Sequence, residues 1–397
     1  MKRNYPLLLV SQFLGAFGDN AILMVILGQL TIAQQAGRIT QQQLSLANAI
    51  YTSLLFIPYL FCGPLAGFLS DRFAKTHWLL GGNSIKLVGT AVAMLQIWCG
   101  GWYEGVGYFL VGVGACVYSP AKYGILPEIL PTERLVKANG TVEMLTLVAI
   151  LVGNIVGAKM IDKLPVGACY AILLAIYGFA LLMNLIMHKT PTHAEIRFRT
   201  NLGEFVSHFR TLVTHARWSR ILCGTALFWV CGAFMKMNFQ PWGLDVIGLT
   251  TNTEIALLGL WLSLGIMIGS VSAGHLHRIS DLTGARRYGF ILAVIIAGLS
   301  LVTVHGLVIA TLIACGVAAG LFLIPLNAAL QAETDATRLG KTIAVQNFIE
   351  NGAMICGSLV IIVATKVGLG PQGRFLLLAA LVAGVIAWLR IPSKEAH

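Results

Sequence analysis

Apolar stretches long enough to cross a lipid bilayer recur along almost the whole sequence, separated by short basic segments. A membrane-spanning helix needs about 20 predominantly apolar residues. Hydrophobic residues make up 57% of the 397 residues and charged residues only 11%, whereas an ordinary soluble domain has about 25% charged residues. The sequence therefore predicts an all-α integral membrane protein with twelve transmembrane helices, at 6–33, 44–70, 78–98, 105–126, 138–163, 166–187, 218–246, 253–277, 287–304, 306–328, 342–366 and 372–391.

The distribution of basic residues predicts how these helices are oriented. The first apolar segment is too long for the core of a cleavable signal peptide, so we expect it to remain as the first helix. With the N-terminus placed in the cytoplasm, 20 of the 27 Lys and Arg residues fall on that side and five on the other. This asymmetry follows the positive-inside rule and predicts that both termini are cytoplasmic. The net charge of +11 is expected of loops next to anionic membrane lipids, so no nucleic-acid partner is predicted.

Internal similarity divides the chain into two halves. The segment Gly15-Ala16-Phe17-Gly18-Asp19 matches Gly232-Ala233-Phe234-Met235-Lys236, and the Arg-Leu pair at 134–135 recurs at 338–339. Parallel six-helix repeats are the architecture of two-bundle transporters. We predict an N-terminal six-helix bundle at 1–187, a cytoplasmic linker with an amphipathic helix at 188–217, and a C-terminal six-helix bundle at 218–397.

The linker contains apolar residues at helical spacing, which predicts the amphipathic helix. Two interpretations of this helix stay open at the level of the sequence. It either lies on the membrane surface or packs against the bundle as an ordinary linker helix. The residues that form the apolar face are Leu202, Phe205, Val206, Phe209, Leu212 and Val213.

Five ionisable residues lie inside the predicted spans: Asp19, Lys86, Glu143, Lys236 and Glu350. An ionised side chain at membrane depth costs about 2.5 to 3.5 kcal/mol on insertion scales, so such residues persist mainly where they face a polar pathway or a partner. The pattern predicts a protein that moves something polar through the membrane. For Asp19 and Lys236 the alternative is a salt bridge with a purely structural role.

Glycine pairs four residues apart occur in three predicted spans. Such pairs let helix backbones approach closely, so they predict helix packing and not substrate contact. The pairs are Gly63 with Gly67, Gly153 with Gly157, and Gly265 with Gly269.

The loop after the second predicted helix carries a motif with a mechanical interpretation. Residues 67–75 read Gly-Phe-Leu-Ser-Asp-Arg-Phe-Ala-Lys and resemble the G-x-x-x-D-R-x-x-K/R signature of the major facilitator superfamily. An acid here is suited to bind the positive end of a helix, which would stabilise one conformation. We assign Asp71, Arg72 and Lys75 to gating. The alternative is an ordinary basic cytoplasmic loop.

Five further blocks carry a finer resemblance. They are Phe17-Gly18-Asp19-Asn20-Ala21, Tyr118-Ser119-Pro120-Ala121-Lys122-Tyr123-Gly124-Ile125-Leu126, Leu135-Val136-Lys137-Ala138-Asn139-Gly140, Pro325-Leu326-Asn327-Ala328 and Ala344-Val345-Gln346-Asn347-Phe348-Ile349-Glu350-Asn351. Together they resemble the lysophospholipid transporter (LplT) family of the major facilitator superfamily. The resemblance implies a flippase that moves lysophosphatidylethanolamine and related lysolipids to the cytoplasmic leaflet of a bacterial inner membrane by alternating access. A cytoplasmic acyltransferase would then reacylate the product.

The resemblance also implies a substrate-binding set. We expect the lysines to meet the phosphate and the acids to meet the ammonium of the headgroup. Lys236 stands where the family is expected to carry arginine, so a forked phosphate contact becomes a point charge. Lys86 lies on the third helix, which is peripheral in the superfamily, and we expect it to pair with an acid such as Asp71. The predicted set is Asp19, Asn20, Lys122, Glu143, Lys236, Asn327, Gln346, Asn347 and Glu350.

Two other functions can be compared with lysolipid transport, and the sequence leaves the first open and argues against the second. A cation-coupled exporter of amphipathic drugs or small metabolites would use the same buried acids as proton sites. An acyltransferase ordinarily needs His and Asp with four residues between them, a spacing that this sequence lacks, so we expect no enzymatic activity. No cofactor or metal is predicted. Asp19 is a candidate site for H+ or Na+, and the gradient of lysolipid consumed by reacylation is the other candidate energy source.

Overall fold

Most of the part of the chain that the structure describes is helical. The computed structural model describes residues 3–100, 102–192, 198–276, 282–334 and 339–392. These ranges contain sixteen α-helices, one π-helical turn at Gly243–Ile247 and no β-strand. The helices are α1 (Asn4–Gln35), α2 (Gln41–Leu54), α3 (Ile57–Arg72), α4 (Lys75–Met94), α5 (Gln96–Cys99), α6 (Tyr103–Gly124), α7 (Leu126–Ile129), α8 (Thr132–Lys163), α9 (Val166–Leu185), α10 (Phe198–Thr214), α11 (Ala216–Trp242), α12 (Asn252–Leu276), α13 (Thr283–Leu299), α14 (His305–Glu333), α15 (Leu339–Lys366) and α16 (Pro371–Trp388).

Each of the twelve predicted spans coincides with one helix or with two consecutive helices. Among the described residues, ten helical segments are long and apolar enough to cross a membrane. The two remaining predicted spans are α6, which is rich in Gly and Tyr, and α13, which has only 17 residues. The predicted all-α membrane fold is confirmed.

The second predicted span is not one continuous helix. It is interrupted between Leu54, where α2 ends, and Ile57, where α3 begins. Pro58 is the second residue of α3. Proline lacks a backbone N–H and is tolerated in the first turn of a helix but not in its interior, so it favours a new helix start at this position.

The chain forms two compact units. The first unit comprises Met1–Ile39, Tyr51–Gly203 and Thr251–Ala256, and the second comprises Thr40–Ile50, Glu204–Thr250 and Leu257–His397. The start of α2 therefore groups with the second unit and the start of α12 with the first. The predicted division at 187 and 217 stays a prediction.

Close backbone contacts hold the helices of the first unit together. A Cβ atom on Gly153 would lie 2.5 Å from the Phe17 carbonyl oxygen, and one on Gly157 would lie 2.6 Å from the Ala21 carbonyl oxygen. The glycines therefore bring α8 directly against α1, as predicted for this pair. The prediction for Gly63 and Gly67 is wrong, because a Cβ atom on either would meet nothing within 4 Å.

The first unit also contains a helix N-terminus that is capped by a side chain from another helix. The Asp162 carboxylate near the end of α8 accepts backbone N–H bonds from Asn252, at 3.1 Å, and Thr253, at 2.9 Å. Both side chains donate to it as well, at 2.9 and 2.6 Å. A carboxylate at a helix N-terminus satisfies otherwise unpaired N–H groups and complements the helix dipole. Asp162 thus fixes the point where α12 begins.

The second unit uses the same type of packing between α12 and α14. A Cβ atom on Gly316 would lie 2.6 Å from the Ile266 backbone nitrogen, and one on Gly320 would lie 2.6 Å from the Ile266 carbonyl oxygen. Gly265 and Gly269 face the same contact from α12. The predicted close packing at this pair is confirmed.

The linker helix α10 packs against α15. Phe205 and Phe209 both meet the ring of Phe348 edge to face, with ring centroids 6.0 and 5.9 Å apart. Glu204 forms an ion pair with Lys341 at 2.5 Å. Of the two interpretations that the sequence left open, these contacts favour the packed linker helix.

Candidate functional site

Asp19 lies in a buried ion pair within the first unit. Lys86 Nζ donates to Asp19 Oδ2 at 2.6 Å, and the Tyr177 hydroxyl donates to Asp19 Oδ1 at 2.8 Å. The three residues are 8%, 3% and 0% exposed. A buried carboxylate is tolerated when it has a counter-charge and hydrogen-bond donors. Both oxygens of Asp19 therefore have partners on other helices.

The identity of the partner of Lys86 is a correction. The sequence led us to expect an acid such as Asp71, whose side chain lies outside the described part. The structure pairs Lys86 with Asp19 instead. The physical reason is the close approach of the helices: Gly15, one turn before Asp19, has no side chain, and a Cβ atom there would lie 3.4 Å from Lys86 Nζ. A lysine in an apolar helix needs a counter-ion, but sequence spacing alone did not reveal which one.

A neutral hydrogen-bond network lies beside the Asp19–Lys86 pair, and the sequence analysis missed it. Ser11 donates to the side-chain amide oxygen Oδ1 of Asn184 at 3.0 Å, and the Asn83 amide donates to the same oxygen at 2.6 Å. The Ser11 and Tyr118 hydroxyls share a bond of 3.0 Å. Asn83 and Lys86 lie three residues apart on α4, a spacing that places both on one face. Polar residues at this spacing in an apolar helix are the sequence pattern from which the network could have been predicted.

Lys122 lies in a second polar group of the same unit. Its Nζ atom donates to the Thr146 hydroxyl at 3.5 Å and lies 4.5 Å from the centroid of the Tyr123 ring. Thr146 donates to the Gln12 amide oxygen at 2.9 Å. The group joins α6, α8 and α1, and the sequence analysis did not identify Thr146 or Gln12. Only the backbone of Glu143, on α8, is described.

Glu104 is a further buried acid that the sequence analysis did not select. Gln29 and Tyr170 each donate to its Oε1 atom at 2.5 Å, and it is only 5% exposed. Its position one residue before the predicted span at 105 made it look like a loop residue. The contacts with α1 and α9 account for its burial.

In the second unit, Gln346 connects two other predicted site residues. Its amide nitrogen donates to Asn327 Oδ1 and to Glu350 Oε1, each at 2.8 Å. Gln346 and Glu350 are 8% and 5% exposed. Asn347, one residue further along α15, is exposed, so it faces a different side of the helix.

Two further residues of the predicted substrate-binding set, Lys236 and Asn20, lie on α11 and α1. Lys236 is half-buried on α11, one turn before Gln240, whose amide oxygen accepts a bond from Asn48 at 2.7 Å. The Asn20 amide donates to the Ala16 carbonyl oxygen of its own helix at 2.9 Å.

Two of the three predicted gating residues are described in full. Lys75, at the start of α4, forms an ion pair with Glu128 Oε1 at 2.7 Å. The Arg72 guanidinium carbon, at the end of α3, lies 5.9 Å from the centroid of the Phe73 ring. The structure thus shows Lys75 in an ordered ion pair.

Buried acids, lysines and amides on long apolar helices, in both compact units, define the class of a multi-pass membrane transporter. The profile of the Major Facilitator Superfamily matches residues 8–358. A solved POT family transporter, crystallised with a thioalcohol-conjugated peptide, has a similar fold, with a TM-score of 0.74 at 13% identity over 97% of this chain and 94% of that one.

Two relatives identify the family within this superfamily. The lysophospholipid transporter LplT of Photorhabdus laumondii is 33% identical over 98% of this chain and 96% of its own length. The LplT protein of Serratia proteamaculans is 33% identical over 89% of this chain and 87% of its own length. The chain belongs to the Major Facilitator Superfamily and, within it, to the LplT family.

Proposed function

We propose that this protein is a flippase that moves lysophosphatidylethanolamine and related lysolipids across a bacterial inner membrane by alternating access. The observation that carries the proposal is its 33% identity, over 98% of the chain, to a relative named for lysophospholipid transport. A lysolipid has a charged headgroup and one acyl chain. The head needs polar partners at membrane depth, since burying it without them costs several kcal/mol.

The charged side chains supply partners for both parts of the headgroup. Lys122 and Lys236 bind the phosphate at different stages of transport. Asp19, Glu143 and Glu350 bind the ammonium. Charge-assisted hydrogen bonds of this type are about twice as strong as neutral ones.

The amide groups complete the proposed binding set. Asn327 and Gln346 already form a hydrogen-bonded cluster with Glu350, and in this proposal they exchange those bonds for bonds to the headgroup. Asn20 and Asn347 offer further amide donors and acceptors.

The ion pair of Asp19 suggests how the ammonium is received. Lys86 already places a primary ammonium 2.6 Å from the Asp19 carboxylate. The ethanolamine ammonium has the same chemistry, so it can donate to the same carboxylate beside Lys86, since an ionised carboxylate offers about four acceptor sites. Lys86 then keeps its counter-charge.

The proposal includes sidedness and partners. Both termini are cytoplasmic, and the lysolipid arrives in the cytoplasmic leaflet, where a cytoplasmic acyltransferase reacylates it. The transporter itself performs no chemical reaction. Asp71, Arg72 and Lys75 gate the cytoplasmic side, and the ion pair of Lys75 with Glu128 supports an ordered role for that segment.

Leaflet transfer in reconstituted vesicles tests the function. Labelled lysophosphatidylethanolamine is placed in one leaflet, and its arrival in the other is followed over time. We expect transfer well above that of empty vesicles, and slower transfer of diacyl phosphatidylethanolamine. Transfer equal to that of empty vesicles contradicts the proposed function.

The same vesicles separate the energy sources. A proton or Na+ gradient is imposed in separate preparations, and a third has neither. Faster accumulation with one gradient identifies that ion as coupled. Equal rates in all three support transport driven by consumption of the product.

A further inference from the structure

A small cavity with several polar side chains in its lining lies within the second unit, where α2 begins, α15 ends and α16 begins. Its volume is about 240 Å³. Only two of its lining residues, Leu369 and Pro371, have apolar side chains. The polar side chains that line it are Gln41, Gln42, Ser45, Asp245, Thr365 and Arg374.

A tight turn shapes one wall of this cavity. Gly368 has a φ of +79°, a conformation that residues with a Cβ atom rarely adopt. The turn allows the Leu369 backbone N–H to bond the Ala364 carbonyl oxygen at 2.9 Å. It also presents the Leu369 carbonyl oxygen to Arg374. The wall is therefore built from fixed backbone.

Arg374 is held in place within this wall. Its Nε atom donates to the Leu369 carbonyl oxygen at 2.8 Å, and the residue is only 4% exposed. A guanidinium offers five N–H donors in a rigid fork that matches a phosphate. The bond to Leu369 uses one donor and leaves the terminal nitrogens of the fork for an anion.

Asp245 gives the cavity an opposite charge. Its carboxylate lies in the π-helical turn after α11 and is exposed, in contrast to Arg374. A cavity with one guanidinium, one carboxylate and several amide and hydroxyl groups suits a small zwitterion. At about 240 Å³ it is smaller than typical pockets for drug-sized ligands, which are about 300 to 1,000 Å³, so it has room for a headgroup and not for a whole lysolipid.

We propose that this cavity is a loading site for the phosphoethanolamine headgroup, formed by other residues than the proposed substrate-binding set. The proposal rests on the proposed lysolipid transport. Arg374 binds the phosphate and Asp245 binds the ammonium, while the acyl chain stays in the lipid. In the proposed orientation the site lies on the non-cytoplasmic side, because it is formed at the end of α15 and the start of α16. The headgroup occupies it before it moves to membrane depth.

Transport kinetics of two variants test the site. Loss of a charge-assisted contact weakens binding, so Arg374→Gln and Asp245→Asn should each raise the KM for lysophosphatidylethanolamine by about tenfold or more. The maximal rate should change little. The control is Arg286→Gln, because Arg286 also donates to a backbone carbonyl of α16, that of Ile386 at 3.2 Å, but does not line the cavity. An unchanged KM in both cavity variants overturns the proposal, even while wild-type transfer upholds the function.

A soluble probe tests the site in the wild-type protein, independently of any effect of substitution on folding. sn-Glycero-3-phosphoethanolamine carries the headgroup without an acyl chain. We expect it to inhibit transfer competitively when it is added on the side opposite the termini. Glycerol 3-phosphate, which lacks the ammonium, should inhibit more weakly, and Asp245→Asn should remove that difference. Failure of the first probe to inhibit at millimolar concentration contradicts the loading site, and absent wild-type transfer contradicts the function itself.

Discussion

Asp19 is the residue whose surroundings most constrain its substitution. Both carboxylate oxygens have donors, Lys86 on one side and Tyr177 on the other. Removing only the acid leaves the Lys86 ammonium buried without its counter-charge. In proteins this type of change costs about 3 to 5 kcal/mol, whereas replacing both partners by neutral side chains is often tolerated.

The first prediction separates stability from transport at this pair. Asp19→Asn should lower both the unfolding temperature in detergent and the lysolipid transfer rate, the latter by more than tenfold. The double variant Asp19→Asn with Lys86→Met should recover much of the unfolding temperature but not the transfer rate, since the proposed ammonium contact is still missing. Lys159→Gln, which removes an exposed charge on α8, is the control. If the double variant transports at the wild-type rate, Asp19 is purely structural.

Sequence patterns find buried charges more readily than they find their partners. Asp19 and Glu350 stand out because acids are rare in apolar spans. The pairing of Asp19 with Lys86 depends on how closely α4 approaches α1, which is set by small residues such as Gly15. Glu104 was missed for another reason: its burial comes from contacts with Gln29 and Tyr170, and both are distant from it in sequence.

At the level of elements, the contact between α12 and α14 predicts opposite effects on stability for two Gly→Ala substitutions. Gly316→Ala would place a methyl group 2.6 Å from the Ile266 backbone nitrogen. Overpacking of this type typically costs about 1 to 3 kcal/mol, so the unfolding temperature should fall. Gly259→Ala, on α12 itself, meets nothing within 4 Å and should stabilise the helix by about 0.5 to 1 kcal/mol. Equal shifts in the two variants, measured by thermal unfolding in detergent, would contradict this account.

The docking of α10 on α15 gives a further prediction at this scale. Phe348→Ala removes the ring that meets both Phe205 and Phe209, and each aromatic pair contributes about 0.5 to 1.5 kcal/mol beyond burial. Backbone amides of α10 should then exchange hydrogen with solvent faster. Val206→Ala is the control because Val206 is 55% exposed and should leave exchange unchanged. Unaltered exchange in the Phe348 variant would show that other contacts hold α10.

Acidification should loosen the same helix. The hydrogen bond and charge of Lys341 hold the pKa of Glu204 below its usual value. A lowered pKa means that the pair stabilises docking at neutral pH, above the pKa of an unpaired glutamate, and that this contribution is lost as the pH falls through the lower pKa in the docked state. Hydrogen exchange of α10 should therefore rise at low pH more in the wild type than in Glu204→Gln. Equal pH dependence in the two proteins would exclude a role for the pair.

The sequence predicts that each membrane-spanning helix exists, but it predicts less well where the helices begin and end and which helices contact one another. Twelve apolar segments were enough to place the spans, because apolar length is itself the physical requirement. The break before Pro58 was missed because the apolar run continues through it. The periodicity of α10 is equally compatible with lipid and with protein on its apolar side, and the contacts with Phe348 and Lys341 favour protein.

For the whole molecule, the distribution of charge carries the prediction of orientation. Of the 27 Lys and Arg residues, 20 fall on one predicted side, and an even number of spans places both termini on the same side. Basic residues in short loops are retained in the cytoplasm during insertion. Both termini should therefore be cytoplasmic, and the turn at Gly368 should lie on the opposite side, where the proposed loading site must meet its lipid.

Reporter fusions measure this orientation directly. Green fluorescent protein fused after His397 should fluoresce, because it folds in the cytoplasm. Alkaline phosphatase inserted after Gly368 should be active, because it needs the oxidising periplasm, and the same enzyme fused after His397 should be inactive. A phosphatase insertion in the turn between α8 and α9, at Leu164, serves as a second site predicted to lie on the same side as Gly368. Phosphatase activity at the C-terminus, with none at Gly368, would contradict the predicted orientation. It would show that the cavity of Asp245 and Arg374 lies on the cytoplasmic side.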